Sequence, residues 1–294
     1  MPVHFAQISD THIVTKDTDE VLYADHNARL AEAVASINVE PTSISAVLAT
    51  GDLTQWGAET EFDELAEILA PLTMPVLPVP GNHDTRAGMR RCFPDLPWAD
   101  AEHHSWVVTV GGVRIIGFDS TIPGEDGGVF DTDRERWLSD VLAEPAAGPT
   151  ILTMHHPPFV TGIDWMDRSG LVGIDRFENV LRGSGAVDRI ACGHLHRPIS
   201  AVVGGVLAEV GPATAVHVAL DLEPDAPKRI VRDPTGYRIL RVDGPSIVGH
   251  TRWVGTGETP FAPAWAIAEL EAEAESSAEA AARQSAAQEA AAEK

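Results

Sequence analysis

Five short polar clusters, each closing an apolar run, constrain this chain more than any other feature. In order they are Asp10-Thr11-His12, Gly51-Asp52, Gly81-Asn82-His83-Asp84, His155-His156 and Gly193-His194-Leu195-His196. The runs they close, at 3–8, 44–49, 76–79, 151–154 and 189–192, have the length and the closing residues of buried strands. A sixth run, 113–118, closes at Asp119-Ser120. Helical spacing lies between them. Leu30, Val34 and Ile37 form one stripe, and Phe62, Leu65, Ile68, Leu69 and Leu72 another. Asp131 or Thr132 can cap a helix burying Trp137, Leu138, Val141 and Leu142. Phe177, Val180 and Leu181 mark one more, stopped at Gly183. Alternating strands and helices predict an α/β layered core. The polar clusters then gather on loops leaving the strand ends, where open α/β sheets carry their sites. Segments 200–220 and 236–254 read as strands and turns with little helix, forming the second half of the sheet sandwich.

The clusters share one chemistry. Carboxylate, imidazole and amide oxygen together suit Mn, Fe, Zn or Co ions. Asp10 and His12, like His194 and His196, are two residues apart, so each pair can face one centre. Gly51 allows the tight turn that brings Asp52 forward, and a bridging carboxylate is what two ions about 4 Å apart require. Taken singly, each cluster has a blander reading. Gly-Asp usually marks a turn, an isolated Asp-x-His mostly decorates a surface, and Gly-Asn-His-Asp contains turn residues. Five of them in strand-end positions point instead to a binuclear metal centre.

The 294 residues carry a formal net charge of -23. Residues 266–294 hold seven Glu against Arg283 and Lys294, a net of -5, which leaves -18 on the rest. Such a surface repels nucleic-acid backbones and anionic membranes, so polymeric substrates and membrane partners are not expected. No apolar stretch reaches spanning length. Cys92 and Cys192 are too few and too separated for a disulfide framework, and Cys192 lies in an apolar run as a small core residue. The N-terminus enters a strand pattern with no basic leader, so a cytoplasmic setting is expected. A catalytic domain over 1–265 is expected, followed by an Ala/Glu-rich tail at 266–294 that is a frayed helix or disordered.

The set D-x-H, G-D, G-N-H-D, H-H-P-P and G-H-x-H resembles the calcineurin-like metallophosphoesterases over roughly residues 3–220. The branch of bacterial class III cyclic nucleotide phosphodiesterases and glycerophosphodiesterases looks most similar. The resemblance implies a four-layer αββα sandwich, two mixed sheets flanked by helices. It implies one cation on Asp10, His12, Asp52 and His196, and a second on Asp52, Asn82, His155 and His194. Between His155 and His156 the pattern favours the first, with His156 behind it. The cations implied are Mn2+ or Fe2+/Fe3+, with Zn2+ or Co2+ as alternatives. The reaction implied is hydrolysis of small phosphodiesters by metal-activated hydroxide, with cAMP and other 3',5'-cyclic nucleotides as first substrates. A glycerophosphodiesterase or a broad-specificity phosphodiesterase is the alternative, and a metal-free binding scaffold on the same fold is the alternative of a different class. Relatives often form homodimers, which is analogy only.

Around the ions, His83 is the candidate donor of a proton to the leaving oxygen, with Asp84 holding its other ring nitrogen. The blander role for His83 is a purely electrostatic phosphate contact. Asn82, His83 and His217 are the candidate substrate contacts; His217 follows a P-x-T stretch similar to one in the glycerophosphodiesterases. Tyr23 and Asn27 are weaker candidates for the pocket wall. Trp56, Trp165 and Met166 read as packing or loop-cap residues, one of which could stack on a base or border the pocket. His4, His26, His103, His104 and His250 read as ordinary surface or strand residues.

Overall fold

The computed structural model describes residues 1–16, 18, 23–99 and 103–255. The expected tail at 266–294 lies outside the described residues. In chain order the elements are β1 (Val3–Ile8), α1 (His26–Asn38), β2 (Ala46–Ala49), α2 (Glu59–Leu69), β3 (Val76–Pro78), α3 (Arg86–Cys92), β4 (Trp106–Val110) and β5 (Val113–Phe118). Then come β6 (Gly128–Val129), α4 (Thr132–Ala143), β7 (Thr150–Met154), α5 (Asp164–Asp167), β8 (Leu171–Val172), α6 (Ile174–Ser184) and β9 (Arg189–Cys192). The last are β10 (Ile199–Val203), β11 (Val206–Val210), β12 (His217–Val218), β13 (Ile230–Val231), β14 (Gly236–Asp243) and β15 (Ser246–Trp253).

Alternation along the strands builds the layers. In β1, Phe5 faces one way, into a core shared with Trp106, Ile115 and Ile151 of the other sheet. Its neighbours Ala6 and Ile8 face the opposite way, onto Leu30, Val34 and Ile37 of α1 and Phe62 and Leu65 of α2. The second sheet repeats the arrangement, packing Ile116, Phe118, Leu152 and Met154 against Leu138 of α4 and Phe177 and Leu181 of α6. The result is helices, sheet, sheet, helices: the four-layer α/β sandwich. One sheet runs β15-β14-β1-β2-β3 and the other β10-β11-β9-β7-β5-β4. Strands β1, β2 and β3 are parallel, as are β5, β7, β9 and β11, while β4, β10, β14 and β15 pair antiparallel. Segments 200–220 and 236–254 therefore do not form one half of the sandwich but divide between its two sheets. β10 and β11 extend the second, and β14 and β15 extend the first.

Asp131 caps α4, its Oδ1 accepting from Arg134 N at 3.0 Å. Helix α6 outruns Gly183 and ends at Gly185, whose φ of 57° supplies the left-handed turn. Among the described residues no helix is long and apolar enough to cross a membrane.

Candidate metal centre

All five clusters emerge from the C-terminal ends of parallel strands: β1, β2 and β3 on one sheet, β7 and β9 on the other. The two sheets thus contribute to one site from opposite sides. The loops bend sharply where they leave the strands. Asp10, His12, Asp52, His194 and His196 have φ of 51°, 44°, 51°, 71° and 51°, and Asp225 is the sole other non-glycine with positive φ among the described residues. Asp and His tolerate this conformation better than most side chains, but each instance still costs roughly 1–2 kcal/mol. Backbone bonds hold the bends. Asp10 N donates to Gly51 O and His12 N to Asp52 O, both at 3.0 Å. The loops also nearly touch. A Cβ on Gly81 would stand 2.1 Å from Asp52 N, and one on Gly51 would stand 2.5 Å from His155 Nδ1.

Two donor groups meet at Asp52. Asp10, His12, Asp52 and His196 form one, with ligating atoms within 4.8 Å of one another. His12 Nε2 lies 3.1 Å from His196 Nε2 and 3.6 Å from Asp52 Oδ2, and His196 Nε2 lies 3.6 Å from Asp10 Oδ1. On the other side, His155 Nε2 lies 3.2 Å from the same Asp52 Oδ2 and 3.1 Å from Asn82 Oδ1. His194 joins this second group. One carboxylate oxygen is therefore common to both.

The tautomers are set from behind. His155 Nδ1 donates to Thr50 O and His196 Nδ1 to Val216 O, each at 2.8 Å, leaving both Nε2 lone pairs for the centre. His194 Nε2 donates to Ser169 O at 3.0 Å, which makes Nδ1 its bare nitrogen. Asp10 Oδ2 is buried with no hydrogen-bond partner. Bare nitrogens and carboxylate oxygens thus converge with too few protons among them, and such a donor set fits divalent cations.

The electrostatics agree. Burial pushes the Asp10 carboxyl up, and burial pushes His12 and His194 well below the ordinary imidazole range. For Asp52 burial opposes ionisation, yet the adjacent His155 holds the carboxyl well below its usual value. Burial likewise opposes a charged His155, and the Asp52 carboxylate overrides it, raising His155 to about 9. A proton shared near Asp52 does here what a cation does better.

His156 approaches His155 and His194 closely enough to join their group. Both of its nitrogens are engaged, however: Nδ1 with Ser120 Oγ at 2.9 Å and Nε2 with Asp126 O at 3.1 Å. No lone pair is left over, and burial lowers its pKa to about 3.

His83 lines the cleft, and its backbone N donates to Asp52 Oδ1 at 2.9 Å. The expected support from Asp84 is corrected. His83 Nδ1 donates to Gln55 O at 2.6 Å. The Asp84 carboxylate instead collects Leu53 N, Thr54 N, Thr54 Oγ1 and Gly81 N at 2.9–3.1 Å. It ties the β2 loop to the β3 loop. Burial and the nearby Asp52 charge raise its pKa to about 6.

His217 is the second correction. Val216 and Val218 line the cleft, and strand alternation turns His217 away from it, buried near Trp253 with ring centroids 6.2 Å apart. Both its ring nitrogens lack partners, and burial drops its pKa to about 4. Of the weaker candidates, Tyr23, Trp165 and Met166 line the cleft. Asn27 is instead pinned to Val14, its Nδ2 donating to Val14 O and its Oδ1 accepting from Val14 N. Trp56 is 52% exposed and packs edge-on to Tyr23. His4 and His250 are strand residues, but His26, His103 and His104 are buried. His26 also lines the cleft, with Nδ1 donating to His12 O at 3.1 Å. Gln55, Asp126, Ser169 and Lys228 are polar lining residues that sequence reasoning missed, and they sit on loops with no motif to mark them. Asp119, at the end of the β5 run, accepts from Arg86, His104 N and Thr121, bracing the loops beside the centre. The cleft measures about 360 Å³.

Comparison with known proteins agrees with this geometry. A Rhodopseudomonas palustris protein named a probable cyclic nucleotide phosphodiesterase is 34% identical over 250 residues, covering 84% of this chain and 90% of the relative. An Arcobacter nitrofigilis protein named a probable glycerophosphodiester phosphodiesterase, GpdQ, is 31% identical over 258 residues, covering 87% and 94%. In architecture the chain is similar to a dimetal phosphatase from Danio rerio, with a TM-score of 0.58 at 14% identity over 86% of this chain and 99% of the other. The family description "Calcineurin-like phosphoesterase" matches residues 3–198, the span that carries every one of the five clusters. The chain belongs to the calcineurin-like phosphoesterase family.

Proposed function

We propose that this chain hydrolyses small phosphodiesters, 3',5'-cyclic nucleotides first among them, at a centre of two divalent cations. Asp10, His12, Asp52 and His196 hold one cation; Asp52, Asn82, His155 and His194 hold the other. The observation that carries the reading is Asp52 Oδ2, 3.6 Å from His12 Nε2 and 3.2 Å from His155 Nε2. A lone carboxylate oxygen between two such donor groups is the arrangement a bridged pair requires. Mn2+, Fe2+/Fe3+, Zn2+ and Co2+ all suit these donors. Bound there, the cations supply Lewis acidity, neutralising phosphate charge and acidifying water.

The protein's own groups do the rest. Thr50 O and Val216 O orient the His155 and His196 rings. Gln55 O fixes the His83 ring with Nδ1 inward, so Nε2 is the nitrogen available to the departing oxygen. Asp52 raises the His83 pKa against the effect of burial, which favours a ring that carries a proton to give.

The relative named a cyclic nucleotide phosphodiesterase supports the first substrate class. The relative named GpdQ supports glycerophosphodiesters as the second. The test is metal analysis together with a diester panel. The protein is reconstituted with Mn2+, Fe2+ or Zn2+ and given cAMP, 2',3'-cyclic nucleotides, glycerophosphoethanolamine and bis(p-nitrophenyl) phosphate. Two equivalents of metal and turnover of diesters are expected. Less than one equivalent would favour a metal-free binding scaffold.

A further inference from the structure

The cleft has a second part that the metal chemistry does not use. Trp165, Met166, Val216, Val218 and Ile230 give it an apolar lining, with Lys228 among them. The Lys228 Nζ lies 5.6 Å from the centre of the Trp165 ring. The chain has three lysines against 44 acidic residues, yet among the described residues no carboxylate pairs with this one. Trp165 is only half-buried, although the platform beneath it is fixed. Its helix, α5, follows a loop pinned by Asp167, whose carboxylate accepts from Thr161 N, Thr161 Oγ1 and Gly162 N at 2.8–2.9 Å. Ile163 and Met166 anchor the same turn in the core, at 1% and 7% exposure.

Resting on the diesterase reading above, we propose that Trp165 and Lys228 form a specificity subsite for the base of a nucleotide diester. A held indole offers a flat face on which any nucleobase stacks, and the ammonium that stands over this ring is on a flexible stem that can swing aside to the acceptor edge of a purine. The apolar wall continues that surface. A glycerol or ethanolamine group has no flat face and gains nothing from Val216, Val218 or Ile230. The subsite therefore favours cyclic nucleotides over glycerophosphodiesters at one and the same metal centre.

The test compares cAMP with glycerophosphoethanolamine on the full-length, Mn2+-reconstituted enzyme and its variants Trp165→Ala, Trp165→Phe and Lys228→Met. Stacking on one aromatic side chain is worth roughly 5- to 150-fold in affinity. Trp165→Ala should raise KM for cAMP about tenfold with kcat within about threefold, and Trp165→Phe should recover most of the loss. Lys228→Met should lower kcat/KM for cAMP alone. Glycerophosphoethanolamine turnover should change less than about twofold in all three. Equal losses on both substrates would show a role in folding or phosphate contact and overturn the subsite, as would unchanged cAMP kinetics or a wild type that prefers glycerophosphoethanolamine. Those outcomes leave the diesterase reading standing. A metal-loaded wild type that turns over neither substrate overturns both.

Discussion

Replacing Asp84 by Asn separates two roles for that carboxylate. The four groups it accepts are Leu53 N, Thr54 N, Thr54 Oγ1 and Gly81 N. An amide keeps one oxygen and turns the other into a donor. The cheaper placement leaves the oxygen at Oδ1, where Thr54 offers two partners, and sets the NH2 against Gly81 N, 3.0 Å away. One charge-assisted bond is lost, about 1.5–3 kcal/mol, and a buried N–H is left facing another donor. The total comes to about 2–4 kcal/mol. At roughly 2–4 °C per kcal/mol for a unit of this size, Tm should fall by about 4–16 °C. Because the tie joins the Asp52 loop to the Asn82 loop, metal affinity should fall as well. Thermal unfolding in chelator gives the first number and calorimetric metal titration the second. If Asp84 served His83 instead, the variant would unfold within about 2 °C of wild type and slow only on poor leaving groups. That result would refute the tie.

Asp52→Ala removes the oxygen common to both donor groups, so kcat should fall by at least about a thousandfold and both metal equivalents should weaken; turnover within about tenfold of wild type would contradict the bridge. His83→Ala should keep two equivalents of metal by elemental analysis while losing about 10²–10⁴ on alkyl diesters and much less on p-nitrophenyl diesters; equal losses on both would end its proton-donor role. Burial, reinforced by Arg90, lowers His104 from 6.5 to about 4. The charged form is penalised in the fold, so His104 costs nothing above its unfolded pKa and costs stability as pH falls from 6.5 towards 4, up to ~3 kcal/mol. His104→Gln keeps an acceptor for Arg90 and cannot titrate, so its denaturation curves should lose less stability than wild type across that window; parallel pH dependence would show that His104 is not the group responsible.

The strands and ligand loops were legible because each apolar run closes on residues that turn a chain and also bind cations. Residues 3–8, 113–118 and 189–192 form strands over the same bounds in the fold. What stayed hidden depends on distant partners. Nothing local in 236–254 says that β14 pairs with β1, Val3 opposite Val242. The Asp84 error was one of proximity in sequence, since adjacent residues at a loop apex need not face each other. Gln55, from another loop, took the place at His83. His217 failed by one step of strand alternation, because whether odd or even residues face a cleft is decided by the pairing register. Trp165 and Lys228 meet across a long stretch of chain, and neither carries a motif.

Left-handed backbone at Asp10, His12, Asp52, His194 and His196 has a consequence for how such a centre can diverge. Of the side chains that coordinate cations, Asp, Asn and His are also those that best endure this conformation. Chemistry and conformation therefore filter the same small alphabet at five positions. Exchanging a ligand for Glu or Cys, trivial on paper, means rebuilding the loop that carries it. New specificity in descendants of this chain should arise at the walls of the cleft, while the centre itself stays frozen.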